Sequence, residues 1–235
     1  YREQRRGGRG VKGAALKQDD VVSHFFVTTT HHWLLFFTNR GRVYRVKTYE
    51  LPDAGRDARG QHVANLLALQ ADEVITQVLD LRDYEQAAFL VLATKSGMVK
   101  KTRLTEYDSN RTGGVIAINL RDDDELISAQ LAGEGDDLML VSRKGYSVRF
   151  TADEASLVED RGGLVGALIA DASDQIFAIA SNGVVIRTRV AEIRPTGRDT
   201  MGVSLMNLAE GDTLIAVARA DERDEDEVED GAPVT

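Results

Sequence analysis

The stretch Leu34-Leu35-Phe36-Phe37-Thr38-Asn39-Arg40-Gly41 is a short apolar run that ends in a polar turn with glycine. An apolar run of this length, bounded by turn residues, is typical of a buried strand that enters a hairpin. The same pattern recurs before three later glycines, so the chain contains an internal repeat. Aligned on Gly41, Gly97, Gly145 and Gly183, the apolar runs are residues 34–37, 90–93, 138–141 and 176–179.

Each copy of the repeat becomes basic after its glycine. The residues four positions after the glycine are Arg45, Lys101, Arg149 and Arg187. The residues six positions after it are Lys47, Arg103, Thr151 and Arg189. Because an offset of two keeps side chains on one face of a strand, these positions predict an exposed stripe of cations that recurs once per repeat.

Two further apolar segments complete each unit. One follows an acidic turn in most copies, at Val21-Val22, Val74-Ile75, Leu126-Ile127, Leu164-Val165 and Leu214-Ile215. The other follows a turn with glycine and is predicted to be a closing strand, at residues 63–66, 115–120 and 203–208. Four strands in roughly 40 to 55 residues, without helical spacing of apolar residues, predict an all-β, propeller-like array of four-stranded blades.

A cluster of arginine and glycine, Gln4-Arg5-Arg6-Gly7-Gly8-Arg9-Gly10, lies near the start of the chain. Glycine allows a backbone to approach a polyanion closely, and guanidinium groups match phosphate oxygens. Such runs also occur in solvated basic linkers. Here the spacing from Gly10 to the acidic turn at Asp19 is that of the later copies, which favours a specialised turn of the repeat.

The heptad, the period of the repeat and the closing strands of the form Val-x-x-x-Asn-Leu resemble the C-terminal domain of the DNA gyrase A subunit. The resemblance covers residues 1–220, and the heptad matches the family's box, Q-R-R-G-G-R/K-G, in full. It implies a β-pinwheel, in which neighbouring blades exchange a strand. The related domain of topoisomerase IV lacks an intact box, so the resemblance favours gyrase.

The resemblance also implies a function and partners. The domain would wrap double-stranded DNA, largely regardless of sequence, and give a chiral crossing that directs negative supercoiling. Its partners would be the gyrase B subunit, together with the rest of the gyrase A subunit, in a heterotetramer located in the cytoplasm at the nucleoid. ATP and Mg²⁺ would act elsewhere in that holoenzyme. No cofactor, metal or catalytic residue is expected in this chain, and no membrane partner.

The sequence departs from the usual six blades of the family. After Arg149-Phe150 the chain passes to Arg161-Gly162-Gly163 without an intervening closing strand. We therefore expect an incomplete repeat near residues 157–163, which leaves the pinwheel short of blades. The Arg161-Gly162-Gly163 sequence is interpreted as a junction loop rather than a second box.

Most of the negative charge lies at one end of the chain. The net charge is −9, and residues 221–230 contain eight acidic residues and one arginine. We therefore expect a pinwheel over residues 1–220 and a disordered acidic tail over 221–235. The tail is interpreted either as a solubilising segment or as a competitor of DNA for the basic rim. DNA binding then depends on where the cations point, and not on the total charge.

Other candidate sites are weaker. The chain contains no cysteine, which fits a reducing compartment, and no apolar run of membrane-spanning length. Its four histidines lack the spacing of metal ligands. The acidic run Asp122-Asp123-Asp124-Glu125 is interpreted as a solvated turn of the repeat, and no nucleotide-binding or nucleophile motif is present.

The candidate DNA-binding residues are the heptad and the cations of the strands and turns. They are Gln4, Arg5, Arg6, Gly7, Gly8, Arg9, Gly10, Lys12, Arg42, Arg45, Lys47, Arg59, Lys100, Lys101, Arg103, Arg111, Arg149, Arg187, Arg189 and Arg198. Two alternative functions remain open. One is a topoisomerase IV-type domain that selects substrates without wrapping them, and the other is a propeller that binds acidic proteins and has no role in DNA topology.

Overall fold

The computed structural model describes residues 8, 16, 21–55, 58–121, 123–152, 163–196, 200 and 202–220. The strands are β1 (Trp33–Thr38), β2 (Arg42–Lys47), β3 (Ile75–Leu81), β4 (Phe89–Thr94), β5 (Val99–Arg103), β6 (Val115–Ile116), β7 (Leu126–Ala132), β8 (Asp137–Ser142), β9 (Tyr146–Thr151), β10 (Leu164–Ile169), β11 (Gln175–Ala180), β12 (Val185–Arg189), β13 (Val203–Ser204) and β14 (Leu214–Arg219). Short 3-10 turns occupy Thr48–Glu50, Val63–Asn65, Leu104–Tyr107 and Val190–Glu192. No α-helix occurs among the described residues.

The strands form four antiparallel sheets, each built on one of the four predicted hairpins. In the chain order of those hairpins, the sheets are blade 1 (β3-β1-β2-β6), blade 2 (β5-β4-β7), blade 3 (β10-β8-β9-β13) and blade 4 (β12-β11-β14). Strand β6 follows the hairpin of blade 2 but pairs with β2 of blade 1, and β13 follows the hairpin of blade 4 but pairs with β9 of blade 3. The predicted all-β pinwheel, with strands exchanged between blades, is confirmed.

The central strand of a blade can contribute to the cores on both of its faces. Alternate residues of a strand point to opposite sides, so an unbroken apolar run is needed where both sides are buried. In β4, Leu90 and Leu92 pack in the cluster that joins blades 1 and 2. Val91 and Ala93 pack in the next cluster, with Leu138 of blade 3. The repeated apolar runs therefore hold neighbouring blades together.

Two of the predicted strands are wrong. Val21 and Val22 lie outside any strand and are 80% and 61% exposed, and Val63–Asn65 forms a 3-10 turn. In the later copies, a segment of the first kind pairs with the hairpin just before it, as β3 pairs with β1, and a closing strand pairs with the hairpin one blade earlier, as β6 pairs with β2. Within the described residues, neither segment pairs with a strand. The chain after Val63 instead packs Leu67 against the outer face of blade 1.

Backbone hydrogen bonds clamp the tips of the hairpins between successive blades. In blade 2, the Lys95 N–H donates to the Glu125 carbonyl at 2.8 Å, and the Lys95 carbonyl accepts from the Leu164 N–H of blade 3 at 2.8 Å. Asn39 and Arg143, at the same position of their hairpins, each make an equivalent pair of bonds. The hairpin tips therefore have fixed positions relative to the next blade.

The acidic turns of blades 1 and 2 belong to this framework, and the prediction that Asp124 is solvated is wrong. Asp124 is only 5% exposed, and it accepts a hydrogen bond from the Ser96 N–H at 2.8 Å. Burial alone would raise its pKa, but hydrogen bonds from Ser96, Thr94 and the Glu125 N–H lower the pKa below the ordinary aspartate value. The Asp124 carboxylate therefore holds the hairpin tip of blade 2, and Glu73 holds that of blade 1 by accepting a hydrogen bond from the Thr38 hydroxyl at 3.1 Å.

Candidate nucleic-acid interface

Arg45, the first cation of the predicted stripe, is held inside blade 1. Its side chain is 8% exposed, and the guanidinium lies 3.9 Å from the centre of the Trp33 ring. It also forms an ion pair with Asp108 and donates to the Tyr84 hydroxyl at 3.3 Å. The prediction that Arg45 is exposed is therefore wrong, because Trp33, Tyr84 and Asp108 together surround its guanidinium.

Arg149, at the same position of blade 3, is also buried. Its Nε donates to Oδ2 of Asp137 at 2.7 Å, and its Nη1 donates to the carbonyls of Val190 at 3.0 Å and Ile193 at 3.3 Å. The residue is 7% exposed. Arg149 therefore fastens blade 3 to the 3-10 turn of blade 4, and the prediction that it belongs to an exposed stripe is wrong.

Two other cations of blade 1 are partly buried and occupied by protein groups. The Arg42 Nη2 donates to the Gly113 carbonyl, and its Nε lies 3.7 Å from Oε1 of Glu73. The Lys47 ammonium donates to the His31 carbonyl at 2.7 Å. Both side chains face contacts within the blade, so blade 1 presents little of the predicted stripe.

Blades 2 and 4 do present the predicted stripe. Arg103, Arg187 and Arg189 are exposed, and Lys101 is half-buried. The Lys101 ammonium lies 3.8 Å from the centre of the Phe89 ring, which directs it along the sheet surface. Each pair of cations occupies alternate positions of one strand, so its members share a face, as the sequence predicts.

The remaining candidates of the sequence analysis fall into two groups. Arg59, Lys100 and Arg111 are exposed, and the Lys100 ammonium donates to the Ala117 carbonyl at 2.8 Å. The heptad other than Gly8, together with Lys12, Arg198, the junction at 153–162 and the acidic tail, lies outside the described residues. Gly8 itself is exposed.

A second set of cations, which the repeat pattern did not predict, lies at the tips of the hairpins. Arg40 of blade 1 and Arg143 and Lys144 of blade 3 are exposed. Lys95 of blade 2 occupies a similar position, but it lies 3.1 Å from Oε2 of Glu125. The sequence pattern that could have predicted these cations is a basic residue one or two positions before the hairpin glycine of blades 1, 2 and 3. Exposed cations therefore lie near the strand ends in blades 2 and 4, and at the hairpin tips in blades 1 and 3.

The described part of the chain contains neither a grouping of metal ligands nor a membrane-spanning helix. Within it, no three acidic, histidine or cysteine side chains are grouped so that they could hold a metal ion. Within the same residues, no helix is long and apolar enough to span a bilayer. The chemistry that the surface offers is a set of fixed cations, which suits a polyanion.

A family model described as "DNA gyrase C-terminal domain, beta-propeller" matches this chain. The matched residues are 1–29, 32–79, 88–132, 136–157 and 174–221. The five matched segments follow the repeat, and the interruption after residue 157 begins at the junction where the sequence shows no closing strand.

Curated relatives are similar over nearly all of the chain. It is 49% identical to the DNA gyrase A subunit of Streptomyces coelicolor in an alignment 289 residues long. That alignment includes 93% of this chain and 34% of the other protein. It is 46% identical to the DNA gyrase A subunit of Mycobacterium tuberculosis over 292 residues, covering 97% of this chain and 35% of that protein. The chain thus spans about a third of the length of these relatives, and the aligned region is longer in them than in this chain.

Solved structures share the fold. The C-terminal domain of DNA topoisomerase IV superposes with a TM-score of 0.72 at 28% identity, covering 82% of this chain and 64% of that one. The C-terminal domain of E. coli ParC superposes with a TM-score of 0.55 at 15% identity, covering 80% of this chain and 78% of that one. The second likeness concerns the fold alone.

Proposed function

The chain belongs to the DNA gyrase C-terminal domain family, and on this basis we propose that it is the DNA-wrapping domain of a gyrase A subunit. Strand cleavage and ATP hydrolysis are then carried out by the gyrase B subunit together with the rest of the gyrase A subunit, in a heterotetramer. The domain acts at the nucleoid in the cytoplasm. Its own contribution is to bend a duplex along a basic rim. This rim consists of the cations near the strand ends of blades 2 and 4 and at the hairpin tips of blades 1 and 3.

The observation that carries this proposal is the recurrence of cations, three of them exposed and one half-buried, at the same strand positions in blades 2 and 4. Lys101 and Arg103 of β5 occupy the same positions of the repeat as Arg187 and Arg189 of β12. The pairing of each strand with its neighbour fixes both of its cations on one face of the blade. The phosphates of a duplex also present charge at regular intervals, and their negative charge is complementary to that of these cations. The described residues offer no recognition helix, so we expect contacts with the phosphate backbone and little reading of bases.

The energetics of wrapping are compatible with a modest number of contacts. Bending a duplex of 20 to 30 base pairs costs on the order of 1–6 kcal/mol. Each phosphate neutralised by lysine or arginine releases condensed counterions, which provides a favourable free energy at low salt. Cations that are already held over aromatic rings or in strand register lose little conformational freedom on binding.

The heptad adds the handedness of the wrap. Its three arginines fall within a single seven-residue stretch of the sequence, so we expect them to contribute a small share of the total DNA affinity. We propose that they fasten the last part of the bent duplex and thereby complete a positive crossing. The rest of the enzyme converts that crossing into negative supercoils.

A topoisomerase IV-type role is the second candidate, and the likeness to the solved topoisomerase IV domain favours it. That role uses the same array to select substrates without wrapping them. The intact heptad and the gyrase A relatives favour the gyrase role. The two roles differ in whether the bound chain changes the linking number of a closed circle.

The basic rim of blades 2 and 4 can be tested by salt titration. Replacing Lys101, Arg103, Arg187 and Arg189 by alanine is expected to weaken duplex binding and to make the slope of log K against log salt shallower. Each lost phosphate contact should reduce the slope by about 0.9. The measurement is duplex affinity by fluorescence anisotropy across a salt series, with thermal unfolding as a check of folding.

A matched control removes an exposed cation that belongs neither to the stripe nor to a hairpin tip. Arg82 is exposed and pairs with its neighbour Asp83 at 2.8 Å. The Arg82→Ala variant is expected to keep the wild-type slope. An unchanged slope in the quadruple variant would show that blades 2 and 4 do not face DNA.

A further inference from the structure

Blade 3 lacks exposed cations where blades 2 and 4 have them. Its first stripe position is the buried Arg149, and its second is Thr151. A duplex that followed the strand ends would therefore meet no exposed cation of the stripe at this blade. The hairpin tip of the same blade carries two adjacent exposed cations, Arg143 and Lys144.

The backbone that carries these two cations is held by its neighbours. The Arg143 N–H donates to the Gly163 carbonyl at 3.0 Å, and the Arg143 carbonyl accepts from the Leu214 N–H of blade 4 at 2.9 Å. Gly145, at a φ of +82°, lies so close to the Met206 carbonyl that an added Cβ would be 2.7 Å from that oxygen. The tip is therefore preorganised, and only side-chain rotamers need to be fixed when it binds a ligand.

Among the described residues, the cations at this tip have no acidic partner, whereas the cation at the tip of blade 2 has one. Lys95 of blade 2 pairs with Glu125, the residue whose carbonyl clamps the tip. The residue in the equivalent position of blade 3 is Gly163, which has no carboxylate. No described acidic side chain lies within ion-pair distance of Arg143 or Lys144. The two positive charges therefore face solvent.

We propose that Arg143 and Lys144 form a contact point for duplex phosphates, which serves blade 3 in place of the buried Arg149. The inference rests on the proposed function and refines it. A guanidinium can bind phosphate oxygens with two donors, and the neighbouring ammonium adds a second charge. Arg149 lies four residues beyond the hairpin glycine, which is about 13 Å along the strand. The duplex thus moves toward the hairpin side of the array as it passes blade 3.

The test is a salt titration of the Arg143→Ala, Lys144→Ala double variant of this chain, with a random-sequence duplex as probe. The slope of log K against log salt should become shallower by about 1.8, which corresponds to two phosphate contacts. The thermal unfolding midpoint should remain that of the wild type, because both side chains are exposed. The matched control is Lys95→Ala, which removes a tip cation already paired with Glu125 and is expected to change the slope much less.

The outcomes separate this inference from the proposed function. A steep wild-type slope that the double variant leaves unchanged would overturn the contact at blade 3 and leave the rest of the rim in place. A shallower slope for the double variant and a near wild-type slope for Lys95→Ala would support the contact. A wild-type chain that fails to bind duplex with salt dependence would overturn both.

Discussion

Replacing Arg5, Arg6 and Arg9 of the heptad by alanine in the complete enzyme is expected to abolish negative supercoiling while ATP-dependent relaxation and decatenation persist. The three arginines belong to a single seven-residue stretch of the sequence, so we expect most of the DNA affinity of the four blades to survive their loss. What is lost is the last part of the wrap, and with it the handed crossing that makes strand passage directional. The isolated chain should lose only a few kcal/mol of binding free energy at most, given a few charge-assisted contacts.

The measurement is a gel assay of supercoiling, relaxation and decatenation by the reconstituted enzyme. A control that removes three exposed arginines from elsewhere, at Arg82, Arg194 and Arg219, is expected to supercoil nearly as the wild type does. If the heptad variant supercoils at a near wild-type rate, the heptad is a linker in this chain. The gyrase-type role would then lose its strongest support.

Replacing Arg149 by methionine is expected to destabilise the fold and leave the salt dependence of DNA binding unchanged. Breaking a buried ion pair by removing one partner costs about 3–5 kcal/mol. We expect about 3 kcal/mol, at the low end of that range, because the Asp137 side chain is 23% exposed and water can solvate it. The loss also removes the two hydrogen bonds to the Val190 and Ile193 carbonyls.

The two readouts are the free energy of unfolding by denaturant and the salt slope of duplex binding. Arg187→Met is the matched control, because Arg187 has the same place in the repeat but is exposed. It should leave stability nearly unchanged and make the slope shallower by about 0.9. A stable Arg149→Met chain with a shallower slope would mean that Arg149 contacts DNA and does not fasten the blades.

The hairpins could be predicted from the sequence because their signals are local. An apolar run, a glycine turn and a second strand lie within about fifteen residues of each other in every copy, and the turns at Gly41 and Gly145 require a positive φ. The all-β fold follows from the repetition of that unit. The resemblance to the gyrase domain supplied the strand exchange, which β6 and β13 confirm.

The exposure of each cation could not be predicted, because it depends on a residue of the paired strand and on the next blade. Arg45 is covered by Trp33, whereas Arg149 meets Asp137 and two carbonyls of blade 4. The closing strands show the same limit. Residues 115–116 form a strand because β2 lies beside them, whereas residues 63–65, which pair with no described strand, form a 3-10 turn. Contacts within and between blades therefore determine which cations are exposed and which closing strands form, and the repeat pattern alone does not.

The most direct test of the central claim is whether the bound chain changes the linking number of a closed circle. A nicked plasmid would be ligated in the presence of increasing amounts of this chain, deproteinised, and its topoisomers separated by gel electrophoresis. A chiral wrap predicts a shift of the distribution toward positive linking number that grows with the bound amount. A distribution identical to that of plasmid ligated alone, at concentrations where the duplex is saturated, would contradict DNA wrapping by this chain.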